Sequence, residues 1–169
     1  MRSLTQWAES YLLPKGLFRR ITQAYYRRII ANEVTLATIT RHDRVLFIGA
    51  GALPLSAIEL VRQTGAQVTA VDHNAEMIRR AQQALDAFAC EGVTLTHEDG
   101  VHAELSGYTV IILANQLTQK TDVITHIQTH AHKGTKILVR KPPKGCPLST
   151  KPTIHHRFRW MTHTALCIA

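Results

Sequence analysis

The sequence predicts an α/β fold with a doubly wound, mainly parallel sheet, helices on both faces, and further helices ahead of the first strand. Short apolar runs rich in β-branched residues recur along the chain, as strands buried on both faces require. Segments with helical spacing of apolar residues separate these runs, and that alternation is typical of βαβ units. Of the 169 residues, 45% are hydrophobic and 19% are charged, so one domain with a substantial core is expected.

Two helices are expected before the first strand. Residues 3–13 carry apolar side chains on one side, and the Pro14-Lys15-Gly16 tripeptide should end that helix. The spacing predicts a longer helix from Leu17 to about Ile39, with most of its arginines off the apolar stripe. The basic run is therefore interpreted as a solvated face, with a membrane-surface helix as the alternative.

A strand, a glycine-containing turn and a helix follow one another in the next segment. Val45–Ile48 is a continuous apolar run, and Gly49 and Gly51 come directly after it. Pro54 fits the first helical position, where a missing N–H costs nothing, and apolar residues then recur at helical spacing. Glycines in such a turn let the backbone approach a ligand closely.

An acid closes the strand after that helix. The apolar run Val68–Val71 ends on Asp72, about 20 residues after Gly51, the separation between a glycine-rich turn and a ribose-binding carboxylate in nucleotide-binding βαβ units. A carboxylate at that place can accept hydrogen bonds from two ribose hydroxyls. The segment therefore predicts a nucleoside site, and the alternative is a tight turn that binds no ligand.

The turn lacks the marks of other common nucleotide sites. Leu53 and Pro54 stand where the third glycine of the dinucleotide fingerprint would fall, and the P-loop Gly-Lys-Ser/Thr is missing. What remains resembles the first motif of the Rossmann-like S-adenosylmethionine (SAM) methyltransferases. That family usually carries an acid just before the first glycine, whereas Phe47 and Ile48 occupy this place here. The methionine end of SAM must then be held differently.

The rest of the chain predicts further strands and helices in alternation. They are a helix over Ala75–Phe88, a strand over Val93–Thr96, a strand over Thr109–Ala114, a helix over about Gln119–Ala131, a strand over Lys136–Arg140, and final strand material within Trp160–Ile168. Prolines and glycines between Pro142 and Pro147 indicate a loop.

Two strand ends carry polar residues that are candidates for ligand contact. By the methyltransferase resemblance, Asp99 after the third strand receives the adenine amino group, and the alternative is a turn residue before Gly100. Asn115 follows the fourth strand, where parallel sheets bind ligands. The candidate SAM-binding residues are Gly49, Gly51, Leu53, Pro54, Asp72, His73, Asp99, Gly100, Ala114, Asn115 and Arg140.

The glycine turn is more similar to the nicotianamine synthase family than to an ordinary methyltransferase. Gly49–Ser56 matches that family's Gly-x-Gly-x-Leu-Pro-Leu-Ser/Thr pattern. Three further segments resemble the family in the same order: the helix with Tyr25, Tyr26 and Glu33, the Leu113-Ala114 segment with Lys120, and the fifth strand with its following loop. The resemblance covers roughly Tyr25 to Gly145.

This resemblance implies that SAM is a substrate whose 3-amino-3-carboxypropyl arm is transferred to a small amine, leaving methylthioadenosine. The reacting carbon is the one that lies in line with an uncharged amine, within ~3–3.5 Å. Glu33 is the implied general base, and Tyr25 or Tyr26 would orient the sulfonium or the carboxylate arm while the other packs. Arg140 and Lys141 are candidates to pair with the methionine carboxylate.

The short N-terminal region separates this chain from the family pattern. Nicotianamine synthases carry a substantial N-terminal domain, whereas only Met1–Asp43 precedes the first strand here. We expect residues 1–43 to form a helical lid on a Rossmann-like core of residues 44–169, in a single SAM-binding domain. The acceptor is then small, or SAM acts alone, because its α-amine can attack its own γ-carbon and close azetidine-2-carboxylic acid.

Two alternatives from other classes stay open. A SAM-dependent methyltransferase acting on a small molecule or RNA would use the same fold. A non-catalytic basic RNA-binding protein would explain the net charge of +8, although no aromatic-basic motif accompanies that charge.

No metal, disulfide or membrane-spanning segment is expected. His126 and His130 share a helix face, but no acid or cysteine nearby completes a ligand set. The three cysteines are far apart and odd in number, which does not suggest a disulfide framework. The chain has no apolar run of about 18 residues and no signal-peptide core at its start, so a cytoplasmic location is expected.

Overall fold

The computed structural model describes residues 15–142, 144, 151–154 and 164–169. The helices are α1 (Lys15–Ala37), α2 (Leu55–Thr64), α3 (Ala75–Ala87) and α4 (Lys120–His130). The strands are β1 (Arg44–Ile48), β2 (Gln67–Asp72), β3 (Val93–His97), β4 (Val110–Leu113), β5 (Lys136–Arg140), β6 (Lys151–Ile154) and β7 (Thr164–Ile168). The helix expected over residues 3–13 lies outside the described residues.

The strands form one sheet in the order β3-β2-β1-β4-β5-β7-β6. The first five are parallel, and β7 runs antiparallel to both β5 and β6. The chain winds outward in one direction through β1, β2 and β3, and in the other through β4 and β5, so the strand order reverses beside β1. This confirms the doubly wound α/β fold, and ligands of such sheets bind outside the carboxyl ends of the strands at the reversal.

Two apolar layers explain why the strand sequences are continuous apolar runs. Along β1, Val45 and Phe47 face one layer, which holds residues of α1, α2 and α3. Leu46 and Ile48 face the other layer, which α4 covers through Ile124 and its neighbours. Because both faces of β1 are covered, alternation of apolar and polar residues is absent from it.

Three details differ from the expectations. Helix α1 ends at Ala37, and Thr38 then adopts a positive φ of 50°. Pro54 stands just ahead of the first helical residue of α2 rather than on it, and its carbonyl accepts the hydrogen bond from the Ile58 amide at 3.0 Å. The sequence patterns do not predict strand β6, because its four residues include a proline. Within the described residues, no helix is long and apolar enough to cross a membrane.

Candidate active site

A cavity of about 860 Å³ opens at the carboxyl ends of β1, β2 and β4, where the strand order reverses. Helix α1, the glycine turn, the loops after β2, β3 and β4, and the last residue of β5 supply its walls. Thirteen of the predicted site residues line it: Tyr25, Tyr26, Gly49, Gly51, Leu53, Pro54, Asp72, His73, Asp99, Gly100, Ala114, Asn115 and Arg140. Glu33 is absent from the wall of the cavity among the described residues.

Two glycines shape the turn between β1 and α2. Gly49 has a φ of +93°, and a Cβ placed there would lie 2.9 Å from the Cβ of Ala114 and 2.9 Å from a Leu117 methyl group. Gly51 has a φ of +63°, and a Cβ there would meet no atom within 4 Å. Gly49 is thus required by the packing of the protein itself, whereas Gly51 leaves open space on the side of the cavity.

Backbone amides hold the Asp72 carboxylate at the end of β2. The Gly51 N–H donates to Oδ2 at 2.8 Å, and the Asn74 N–H donates to Oδ1 at 3.0 Å. His73 is mostly exposed, with Nδ1 3.5 Å from Oδ1. An ionised carboxylate has about four acceptor positions, so the two amides orient Asp72 and leave capacity for a ligand diol.

The loop after β3 brings two acids to the cavity. Asp99 Oδ1 accepts a hydrogen bond from the Val101 amide at 3.0 Å, so Asp99 is a turn residue as well as part of the cavity wall. Its neighbour Glu98, which sequence reasoning passed over, also lines the cavity and accepts from the Glu104 amide at 3.0 Å. Met77 and Leu117 add apolar surface to the wall.

A buried ion pair lies beside the cavity. Arg140, at the end of β5, donates from Nε to Glu33 Oε1 at 2.8 Å and from Nη2 to Oε2 at 2.7 Å. Its Nη1 donates to Ser56 Oγ at 2.8 Å, and the guanidinium carbon lies 5.2 Å from the centre of the Phe47 ring. The Thr164 hydroxyl donates to Glu33 Oε1 at 3.1 Å. The residues of this cluster come from α1, β1, α2, β5 and β7.

The ion pair bears on the predicted roles of Glu33 as general base and of Arg140 as partner of the methionine carboxylate. Glu33 is 1% exposed and Arg140 is 6% exposed, and of the two only Arg140 lines the cavity. Burial lowers the pKa of Arg140, but the charge and hydrogen bonds of Glu33 more than offset this, so the pKa is raised above its usual value. The guanidinium, expected to meet a methionine carboxylate, is bound to a carboxylate of the protein in this structure. Lys141, its expected companion, is exposed and does not line the cavity.

The two tyrosines of α1 differ in their surroundings. Their rings meet edge to face, with centres 5.2 Å apart and planes at 84°. Tyr25 is 39% exposed, and partial burial raises the pKa of its phenol, as the neighbouring Tyr26 also does. Tyr26 packs against the apolar layer under α1 and α2. Tyr26 is thus the more enclosed of the two, and both tyrosines line the cavity.

Lys120 joins the ends of two strands next to the cavity. Its Nζ donates to the backbone oxygens of Asn115 and Arg140, both at 2.8 Å. Burial, together with the neighbouring charges of Lys141 and Arg140, lowers the pKa of Lys120 to about 8. The loop after β4 and the last residue of β5 are therefore held together by one amine.

The histidines of α4 bind backbone oxygens. His126 Nε2 lies 2.9 Å from the oxygen of Ala103, and His130 Nδ1 lies 2.9 Å from the oxygen of His126. In the part of the chain that the structure describes, no three His, Cys, Asp or Glu side chains gather as a metal site.

Similar proteins were found at three levels. A protein-family model, "Nicotianamine synthase protein", matches residues 23–147. The L-histidine 2-aminobutanoyltransferase of Pseudomonas aeruginosa (strain UCBPP-PA14) is 31% identical over 116 residues, which cover 66% of this chain and 43% of that protein. The enzyme of the same name from Yersinia pestis is 26% identical over 117 residues, covering 68% and 43%. The chain thus spans less than half the length of these curated relatives.

Solved structures agree on the fold. A variant of MtNAS in complex with S-adenosylmethionine has a TM-score of 0.77 at 19% identity, covering 85% of this chain and 61% of that one. An RNA methyltransferase from Salinibacter ruber in complex with S-adenosyl-L-homocysteine has a TM-score of 0.71 at 16% identity, covering 94% and 93%. Both are Rossmann-like α/β proteins, as this chain is.

Proposed function

The chain belongs to the nicotianamine synthase family, and we propose that it transfers the 3-amino-3-carboxypropyl arm of SAM to an amine, with release of methylthioadenosine. The observation that carries the proposal is the convergence of Gly51, Asp72 and Arg140 on one cavity at the reversal of the strand order. The name of the curated relatives, which are aminobutanoyl transferases, supports the same arm of SAM as the transferred group.

The cavity offers matching surfaces for the two ends of SAM. At the adenosine end, Asp72 accepts from the ribose hydroxyls, and Glu98 or Asp99 receives the adenine amino group. The missing Cβ of Gly51 leaves room for the ligand to pass close to the turn. At the other end, Arg140 and Tyr25 meet the aminocarboxypropyl arm.

The reaction is a displacement at the γ-carbon of the arm. The lone pair of an uncharged amine attacks that carbon as the carbon–sulfur bond breaks, and the electron pair of that bond stays on the sulfur of methylthioadenosine. The amine nitrogen then carries one proton too many, and a base must accept it. The amine has to lie in line with the breaking bond, within ~3–3.5 Å of the carbon.

The buried pair supplies both the carboxylate grip and the base. The α-carboxylate of SAM competes with Glu33 for the Arg140 guanidinium, and once it has taken the guanidinium, Glu33 is free to accept the proton. Removing one partner of a buried ion pair costs about 3–5 kcal/mol. Exchange of one carboxylate for another spares the guanidinium that cost, because it keeps a bidentate acceptor throughout, whereas Glu33 stays buried without its cation until it accepts the proton.

The proposal includes two candidates for the attacking amine. One is a separate small amine that receives the arm, and the other is the α-amine of SAM itself, which would close azetidine-2-carboxylate. Both forms of the reaction need an uncharged amine, which the positive Arg140 at the wall of the cavity favours. Within the described residues, the tyrosines of α1 at the cavity wall support a lid role for residues 1–43 over a core of residues 44–169.

The compartment is also part of the proposal. We place the chain in the cytoplasm.

Methyl transfer to a small molecule or RNA is the second candidate. The net charge of +8 and the fold shared with an RNA methyltransferase favour it. The product distinguishes the two, because methyl transfer leaves S-adenosylhomocysteine rather than methylthioadenosine.

The experiment incubates the full chain with SAM alone, and then with SAM and L-histidine or another amino acid, and identifies products by mass spectrometry. Methylthioadenosine above the spontaneous breakdown of SAM is expected, and an equal amount of azetidine-2-carboxylate would identify ring closure. Asp72→Asn should lower product formation roughly tenfold or more when SAM is limiting, whereas Thr129→Val, on the exposed face of α4, should not change it. S-adenosylhomocysteine as the product, or no turnover with any acceptor, would overturn the proposal.

A further inference from the structure

We infer that Thr164 is a positioning residue for Glu33, an inference that rests on the proposed role of Glu33 as proton acceptor. Thr164 is 0% exposed and lies on β7, the antiparallel strand beside β5. In the register of that pair it stands directly opposite Arg140. The two side chains that hold Glu33 are therefore cross-strand neighbours, and residues so placed on an antiparallel pair have Cβ atoms about 4.5–5.5 Å apart.

The two oxygens of Glu33 are held differently. Oε1 accepts from Arg140 Nε at 2.8 Å and from the Thr164 hydroxyl at 3.1 Å. Oε2 accepts from Arg140 Nη2 at 2.7 Å. When the guanidinium turns to the carboxylate of SAM, both of its bonds to Glu33 are lost, and the bond from Thr164 remains.

That remaining bond decides which oxygen reacts. Thr164 holds Oε1, so Oε2 turns toward the space that the guanidinium leaves, and Oε2 accepts the proton of the amine. The hydroxyl also offsets part of the cost of a carboxylate left buried without its cation. Without the hydroxyl, Glu33 is free to rotate or to keep Arg140, and the proton acceptor is then out of place.

Ser56 has a different part in the same cluster. Its Oγ accepts from Arg140 Nη1 at 2.8 Å, on the side of the guanidinium away from Glu33. It therefore restrains the arginine, while Thr164 restrains the base. A change at Ser56 should alter the binding of SAM, whereas a change at Thr164 should alter the chemical step.

The test compares Thr164→Val, which removes the hydroxyl and keeps the shape, with Thr164→Ser, which keeps the hydroxyl. The rate of methylthioadenosine formation and the KM for SAM are measured for both. We expect kcat to fall roughly tenfold to a hundredfold in Thr164→Val, the range for a hydrogen bond to a charged group, with KM changed less than about twofold. Thr164→Ser should recover kcat to within about threefold of the wild type.

Thr135→Val is the matched control. Thr135 is a buried threonine at the other end of the same sheet, and its hydroxyl donates to the Tyr108 oxygen at 3.4 Å. Its replacement should lower stability and leave kcat unchanged. If Thr164→Val does not fold, Thr164→Cys against Thr164→Ser takes its place, because the two differ in one atom and sulfur is the weaker donor.

The outcomes separate the inference from the function on which it rests. Equal kcat in the valine or cysteine variant and the wild type overturns the role of Thr164 while methylthioadenosine formation stands. A rise in KM with kcat unchanged also overturns it, because the hydroxyl would then serve binding. If the wild type forms no methylthioadenosine, the proposed function itself fails.

Discussion

The buried pair of Glu33 and Arg140 makes a quantitative prediction for stability. Glu33→Gln keeps the size of the side chain but removes its charge, and it sets an amide NH2 against a donor of Arg140 or Thr164. Both partners are almost fully buried, so the arginine is left as a buried charge without a counter-ion. Loss of one partner of such a pair costs about 3–5 kcal/mol. We expect the lower end, about 3 kcal/mol, since glutamine keeps one acceptor oxygen.

The assay is urea unfolding followed by circular dichroism, with thermal unfolding alongside. A loss of that size corresponds to a fall in Tm of roughly 6–12 °C for a chain of this length. Arg140→Met should be destabilising as well, and the double variant should be more stable than the sum of the two predicts. Glu76→Gln, which breaks a surface pair with Arg79 and Arg80, should have no measurable effect. An unfolding midpoint for Glu33→Gln equal to the wild type would refute the assignment of a buried ion pair.

Three further predictions concern the cavity. Gly49→Ala should fold poorly, because its Cβ meets the Ala114 Cβ at 2.9 Å. Gly51→Ala should fold with a small loss of Tm from its strained φ, and it should weaken SAM binding measured by calorimetry. Asp72→Asn should weaken SAM binding roughly tenfold or more, since hydrogen bonds to a charged group are lost, and unchanged affinity would contradict the ribose assignment. Lys120 has a pKa of about 8, lowered from 10.5, so between these pH values the unfolded state binds more protons than the folded state. The stability of the wild type relative to Lys120→Met should therefore rise with pH across that window.

Much of the fold is predictable from local sequence patterns. The strands β1, β2, β4 and β5 are buried on both faces, and this burial is visible in the sequence as apolar runs, interrupted only by Thr69 in β2. The glycine turn and Asp72 are predictable for the same reason, because their spacing is set by one strand, one helix and one strand in succession. The structure brings both to the cavity.

The edge of the sheet is less predictable. Strand β6 contains a proline and pairs with β7, with a register shift between Lys151 and Thr153. The rule that strands alternate with helices does not apply to this antiparallel end. The short, irregular segment carries too weak a pattern to be identified alone.

The sequence by itself determined the alternation of strands and helices, the glycine turn and the acid beyond it, since these depend on residues near one another along the chain. Only the tertiary structure decided that Glu33 binds Arg140, 107 positions away, and Thr164, 131 positions away. Each residue alone is an ordinary charged or polar residue of a helix or strand. Their partnership follows from the sheet order, which sets β7 beside β5 with Thr164 opposite Arg140, and from the packing of α1 against these strands.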